Sequence, residues 1–381
     1  MLNSSFTSFF ATLAFINTAL SLPVTDLLPP PVKRADTTPR LIQYVQTFHP
    51  ADDEDAHLSI LPLLNKDTGI THVILAALHI NGPDGNITLN DENPNATTFD
   101  RTWEEAATLQ QNGVKVMVMM GGAATGSYDG RLCSTNGRSI QDAYYLPLVS
   151  TLKYRNVDGI DLDIEEPVAL SCAQNLIRRI RQDFGKDFII TMAPVASDLP
   201  AGGSGLSGFS YSRLERSRAG KLVNWYNGQY YSGFVQGSLE ESYQAGVANG
   251  FKPERVVLGV LDSSNDGSGY VSLSDVKETI ENLKEDYRKF GGVDGWEYFD
   301  AGADEWLSKP WQWTKQIGKA LFGKTEKRDV QVRERKLHTP KLPGGVAALM
   351  AKGHDQITAA RALRMAKGDE VEAERMLKEG S

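Results

Sequence analysis

The chain has 381 residues, 41% of them hydrophobic and 23% charged, with a formal charge of −8. This is enough apolar material to exclude a disordered chain, and the length allows one large α/β barrel with an appendage, or two to three smaller domains. The acidic balance excludes a basic nucleic-acid footprint. No apolar run of membrane-spanning length lies beyond the N-terminus. Two cysteines and six histidines without H-E-x-x-H spacing exclude a cysteine zinc cluster and give no metal-site signal, so neither metal nor cofactor is expected.

Residues 6–22, FTSFFATLAFINTALSL, form an apolar run ending in small residues, which reads as a secretory signal peptide over 1–21 although no Lys or Arg precedes it. Residues 22–40 read as a propeptide or linker, rich in Pro and holding the dibasic pair Lys33-Arg34, so the mature chain is expected to start at Ala35. Asn86-Ile-Thr and Asn95-Ala-Thr are glycosylation sequons in a Gly/Pro/Asn-rich loop and agree with a secreted protein. In that compartment Cys133 and Cys172 are a candidate disulfide.

Short β-branched or aromatic runs then recur at 41–48, 72–78, 114–120, 157–164, 187–193, 222–227, 255–261 and 293–299, each bounded by Gly, Pro, Asn or Asp. Helical patterns such as TWEEAATLQQ and AQNLIRRIRQDFG lie between them, with Gly113 and Gly185 where C-terminal caps belong. Alternating strands and helices imply parallel strands with crossover helices. Eight such units predict a (β/α)8 barrel over 41–320; a doubly wound open sheet is the alternative. A charged linker follows at 321–342 with a second dibasic pair, Lys327-Arg328. Residues 343–381 show three short helical patterns, the third containing Val371, Ala373, Met376 and Leu377.

The most informative string is Asp158-Gly-Ile-Asp161-Leu-Asp163-Ile-Glu165. Side chains alternate across a strand, so Asp161, Asp163 and Glu165 share one face and Ile160, Leu162 and Ile164 the other. In a barrel the apolar face packs on helices and the acids point inward. Like charges converging at low dielectric are costly as stabilising features, so chemistry explains them better. Glu165 falls at the C-terminal strand end, where barrel active sites open, and Glu166 has the opposite parity and should point away. The strict alternation argues against a calcium loop.

This string resembles the fourth-strand signature of glycoside hydrolase family 18, the chitinase and endo-β-N-acetylglucosaminidase family. Met119-Met120-Gly121-Gly122 is similar to the third-strand S-x-G-G with Met119 in place of Ser. Met192-Ala193-Pro194 resembles the fifth-strand motif, Tyr226-Asn227 the sixth-strand Tyr motif, and Trp296 the eighth-strand Trp. The resemblance spans roughly 40–318 and is strongest to fungal secreted endo-β-N-acetylglucosaminidases, then chitinases. It implies cleavage of a GlcNAc-β1,4-GlcNAc bond with the substrate's own acetamide as nucleophile, forming an oxazolinium intermediate. Glu165 would be the general acid, Asp163 would hold the acetamide N–H, Asp161 would couple to Asp163, and Tyr226 would bond the acetamide carbonyl. Trp296 would floor the sugar subsite. Asn227, Gly121, Gly122 and Met192 are further substrate-binding candidates, with Gln229 and Tyr231 behind them; His49 reads as structural.

The expected partner is a GlcNAc-containing glycan, the N-glycan core ahead of chitin, because the stretch 262–292 has no room for the α+β insertion of deep-grooved chitinases. A lectin-like, non-catalytic relative is a further alternative, but the acidic array is intact. The tail resembles a ubiquitin-associated domain weakly; Lys352-Gly353-His354 replaces the usual loop and argues against ubiquitin binding.

Overall fold

In the computed structural model the expected runs become strands β1 (Arg40–Val45), β2 (His72–Asn81), β3 (Asn86–Leu89), β4 (Lys115–Gly121), β5 (Gly159–Asp163), β6 (Ile189–Met192), β7 (Trp225–Gln229), β8 (Val256–Leu261) and β9 (Gly292–Trp296). The structure describes residues 38–49, 57–81, 86–203, 205–301 and 309–323, and in the C-terminal region 348–349, 352, 366 and 369–379. Eight strands run parallel in the order β1-β9-β8-β7-β6-β5-β4-β2. The pairing of β1 with β2 as well as β9 closes them into a barrel. This is the (β/α)8 architecture expected, and the open-sheet alternative is excluded by that closure. β3 is an addition that the sequence reading did not contain: it pairs antiparallel to β2. Asn86 therefore opens a strand instead of sitting in a loop; it and Asn95 are both exposed.

Helices α1 (Leu61–Asn65), α2 (Asp100–Gln111), α3 (Asp142–Arg155), α4 (Leu170–Phe184), α5 (Tyr211–Arg216), α6 (Leu239–Ala248), α7 (Leu273–Asp286) and α8 (Trp311–Phe322) surround the barrel. In α4 the buried set Cys172, Ala173, Leu176, Ile177 and Ile180 follows helical spacing, so one stripe faces the sheet. Each such Leu or Ile is worth roughly 1.5–3 kcal/mol when fully buried. The helix stops at Gly185 (φ +81°), and α2 is followed by Gly113 (φ +82°), both in the left-handed region that glycine tolerates. A helix α9 (Glu370–Glu379) carries the third tail pattern. Residues 1–37 and most of 324–368, which hold the signal peptide, both dibasic pairs and most of the tail resembling a ubiquitin-associated domain, lie outside the described residues.

Alternation splits the apolar residues into two cores. One lies between sheet and helices and includes Leu41, Val45, Ile160, Leu162, Ile190, Met192 and Tyr226. The other fills the barrel with Ile42, Tyr44, Ile74, Met117, Met119, Ile189, Trp225 and Val257. At the strands' N-terminal end Trp225 takes the Arg40 guanidinium on its face at 4.2 Å and packs T-shaped with His72, ring centroids 5.0 Å apart, plugging the interior. The other end is left to polar groups. Between β8 and β9 stand only a short 3-10 turn (Ser264–Asp266) and α7.

Candidate active site

Strand β5 places Asp161 and Asp163 inside the barrel, 0% and 5% exposed, while Ile160 and Leu162 pack outward. Asp161 accepts hydrogen bonds from Thr191 Oγ1 on β6 (2.5 Å), Tyr44 Oη on β1 (2.7 Å) and Asn227 Nδ2 on β7 (3.2 Å). Burial pushes its carboxyl up to about 6 against the pull of those three donors. Asp163 rises well above the ordinary range, first from burial, then from the charges of Glu165 and Asp161. Asp163 and Glu165 lie close enough for the charge of Glu165 to add to that rise. Gln229 Nε2 bridges the pair, 3.1 Å from Asp163 Oδ1 and 3.2 Å from Glu165 Oε1. It also donates to Ala193 O at 3.0 Å. Glu165 itself is half-buried, just beyond the end of β5.

The donors are oriented by their own partners. Asn227 Oδ1 accepts the indole N–H of Trp225 at 2.7 Å, so its amide nitrogen must face Asp161 and Tyr44. Gly121 and Gly122 sit at φ +97° and +98° beside β5. A side chain on Gly122 would start 3.5 Å from Asp163 Oδ2 and 3.2 Å from the Met119 methyl, so glycine keeps that wall open over the acid. Gly122 N–H donates to Asp163 O at 3.0 Å. Trp296, half-buried at the end of β9, packs against the inner core with its ring 5.5 Å from that of Tyr44. The result is a coupled row of carboxyls, open at one end, held by neutral donors beside an aromatic wall. Burial and like charge together favour keeping a proton on Asp163 within such a row.

The sequence pattern of glycosyl hydrolases family 18 matches residues 40–205. A solved fungal endo-beta-N-acetylglucosaminidase of that family is 40% identical with a TM-score of 0.69, covering 75% of this chain and 99% of that one. The chain belongs to glycosyl hydrolase family 18. Chitinase ChiC from Aspergillus fumigatus is 43% identical with a TM-score of 0.64, covering 69% of this family 18 chain and 92% of its own. Endochitinase 37 of Trichoderma harzianum is 32% identical over 196 residues, 47% of this chain. Endochitinase 4 of Metarhizium anisopliae is 28% identical over 194 residues, also 47% of this chain. The chain spans 56% and 66% of the lengths of these two curated relatives.

Two candidate residues of this family 18 site are not where the sequence motif suggested. Tyr226 points out of the barrel: it is fully buried among Tyr211 and Phe251, and its hydroxyl donates to Glu215 at 3.0 Å. Neighbours on a strand face opposite sides, so with Asn227 inward Tyr226 cannot be. The same parity sends Met192 outward, behind inward Thr191. Tyr231, which follows β7 with the parity of Asn227 and Gln229, is the tyrosine facing the acids. It is half-buried, and the charges of Asp294, Asp163 and Glu165 add to burial in raising its hydroxyl.

Three residues were not anticipated. Tyr44 and Thr191 donate to Asp161, and nothing in their local sequence sets them apart from packing residues. Asp294, on β9 two residues before Trp296, was legible from parity alone. It is 3% exposed, and its Oδ2 has no hydrogen-bond partner. Burial and then Asp161 push it well above the ordinary carboxylate range. Its room comes from Gly259, where a Cβ would lie 2.6 Å from Asp294 Oδ1. Cys133 and Cys172 are bonded to each other as expected, with Cα atoms 5.6 Å apart. His49 lies beyond the end of β1.

Proposed function

We propose that the chain is a secreted endo-β-N-acetylglucosaminidase that cleaves the GlcNAc-β1,4-GlcNAc bond of the N-glycan core by retaining, substrate-assisted catalysis. The observation carrying this reading is the inward row Asp161–Asp163–Glu165 with Gln229 bridging its outer two members. Glu165 donates its proton to the glycosidic oxygen. The acetamide oxygen attacks C1 with loss of the leaving sugar, and an oxazolinium ion forms. Asp163 holds the acetamide N–H and balances the positive charge, while Asp161 shares the remaining proton of the row. Tyr231 takes the acetamide carbonyl in place of Tyr226, and Trp296 floors the sugar ring. Water, activated by Glu165 as base, then opens the ring from the same face.

The short β8–β9 connection supports a shallow cleft, suited to a branched glycan, and the 40% identity to the fungal endo-beta-N-acetylglucosaminidase points the same way. The similarity to ChiC favours a second reading, hydrolysis of chitin oligomers. Mass spectrometry of products from a high-mannose glycoprotein and from a chitin oligomer separates them. Release of a glycan ending in one GlcNAc, leaving the other on Asn, is the expected result. Cleavage of the chitin oligomer alone moves the assignment to the second reading, and cleavage of neither overturns both. On the same view the secreted form runs from about Ala35 to near Arg328 and is active without the tail, which intact mass and assay of a truncation check.

A further inference from the structure

Glu166 follows the acid directly, is 7% exposed, and turns away from the cleft. Its Oε1 accepts the backbone N–H groups of Gly126 and Tyr128, each at 2.9 Å, and its Oε2 that of Asp129 at 3.2 Å. One carboxyl thus gathers three main-chain donors from the loop after β4, which offsets the cost of removing a charge from water. That loop is itself fixed. Tyr128 is fully buried and its hydroxyl donates to Met120 O at 2.7 Å. Cys133 N–H donates to Tyr128 O at 2.8 Å, and the Cys133–Cys172 bond returns to the start of α4. On the far side of Glu165, Val168 N–H donates to Ser207 O at 2.9 Å. Among the described residues the Glu165 side chain takes a hydrogen bond from Gln229 alone. Its aim is therefore set by the peptide that carries it.

The geometry points to Glu166 as a positioning residue: by binding the N–H groups of residues 126–129 it holds the backbone of Glu165, and so the direction in which the acid presents its proton. The inference rests on Glu165 being the general acid. A displacement of about 1 Å at a reacting group costs on the order of a hundredfold in rate. The cost should fall where protonation matters most. A sugar alkoxide needs the proton to leave, whereas a nitrophenolate leaves nearly unaided.

The test compares kcat and KM for one donor glycan carried on GlcNAc and on p-nitrophenol. Glu166→Gln keeps size but turns an amide donor toward a backbone donor. It should lose about ten- to a hundredfold in kcat on the GlcNAc substrate, with little loss on the aryl glycoside and KM nearly unchanged. Tyr128→Phe, which removes the loop's bond to Met120 and is the safer variant for folding, should show the same selectivity at smaller size. Glu165→Gln is the reference and should show it at larger size. Glu166→Gln and Tyr128→Phe that are wild-type on both substrates, or equally impaired on both, while Glu165→Gln stays selective, overturn the positioning role. A Glu165→Gln variant without leaving-group selectivity overturns the acid assignment and the inference with it.

Discussion

On the two sides of β7, carboxyl groups are buried under opposite rules. Outward, Glu215 meets the fully buried Arg255 at 2.5 Å, takes the Tyr226 hydroxyl at 3.0 Å, and lies 3.4 Å from Lys221. Inward, Asp161 and Asp163 take their bonds from Thr191, Tyr44, Asn227 and Gln229, all neutral, and Asp294 leaves an oxygen unpartnered. A carboxylate paired with a cation serves packing. A row without countercharge keeps its protons within reach, which costs stability and gives the acids something to exchange. Both sets are polar and buried, so exposure alone does not tell them apart; the presence of a cation does.

The largest effect that breaks this contrast is expected at Glu215. Glu215→Gln leaves Arg255 charged in a site closed to water and should cost about 3–5 kcal/mol of stability, read as a lower melting temperature. The folded fraction should turn over at the wild-type kcat; a large drop in kcat would mean the outward cluster serves the chemistry after all.

Asp294 tests the inward rule through pH. A carboxyl raised in the folded state contributes stability that is intact below its unfolded value of about 3.9 and is lost as pH rises through the folded value. Asn cannot ionise. Asp294→Asn should therefore match the wild type near pH 4 and melt higher at neutral pH, by about 1–3 kcal/mol of stability. A variant destabilised at neutral pH would show that the Asp294 charge is satisfied. The Asp161 carboxyl, pushed up to about 6, adds a slope of the same sign to both proteins.

The two tyrosines sharpen the comparison next. Tyr231→Phe should lower kcat about tenfold or more with stability little changed, whereas Tyr226→Phe should cost about 1 kcal/mol of stability and leave kcat intact. Reversed results would return the acetamide contact to Tyr226.

The smallest effect is a displacement of a pH profile. Asn227 lies 3.2 Å from Asp161, so Asn227→Asp adds a like charge to the row. A like charge favours protonated neighbours, so the alkaline limb of kcat should move to higher pH, even if kcat itself falls. A limb that stays in place would mean residue 227 acts through Tyr44 and geometry alone.

All eight barrel strands could be read from the sequence because each is a short β-branched run between turn formers, and the three acids because alternation on β5 is unbroken. The same parity, applied to β7, excludes Tyr226 once Asn227 is inward. The string WYN hides this because an aromatic suits either side of a barrel wall. Tyr44 was hidden for the opposite reason: its neighbour Gln43 is polar yet faces outward, bonded to Thr314 on α8 and to Asp262, so hydropathy along β1 carries no sign of direction. β3 was missed because four residues that hold a glycosylation sequon look like loop until β2 extends far enough to pair with them.

The Cys133–Cys172 bond has a bearing on where the enzyme works. It joins the loop gripped by Glu166 to the first turn of α4, and so spans the peptide that carries Glu165. Thiols in the cytosol stay reduced, while the secretory route oxidises them. On the secretory route proposed above, the wall beside Glu165 would be covalently completed on the way out of the cell. A chain held in the cytosol would keep its barrel, which rests on the two apolar cores, yet carry a looser grip on its acid. Export would then be a maturation step for catalysis as well as a change of address.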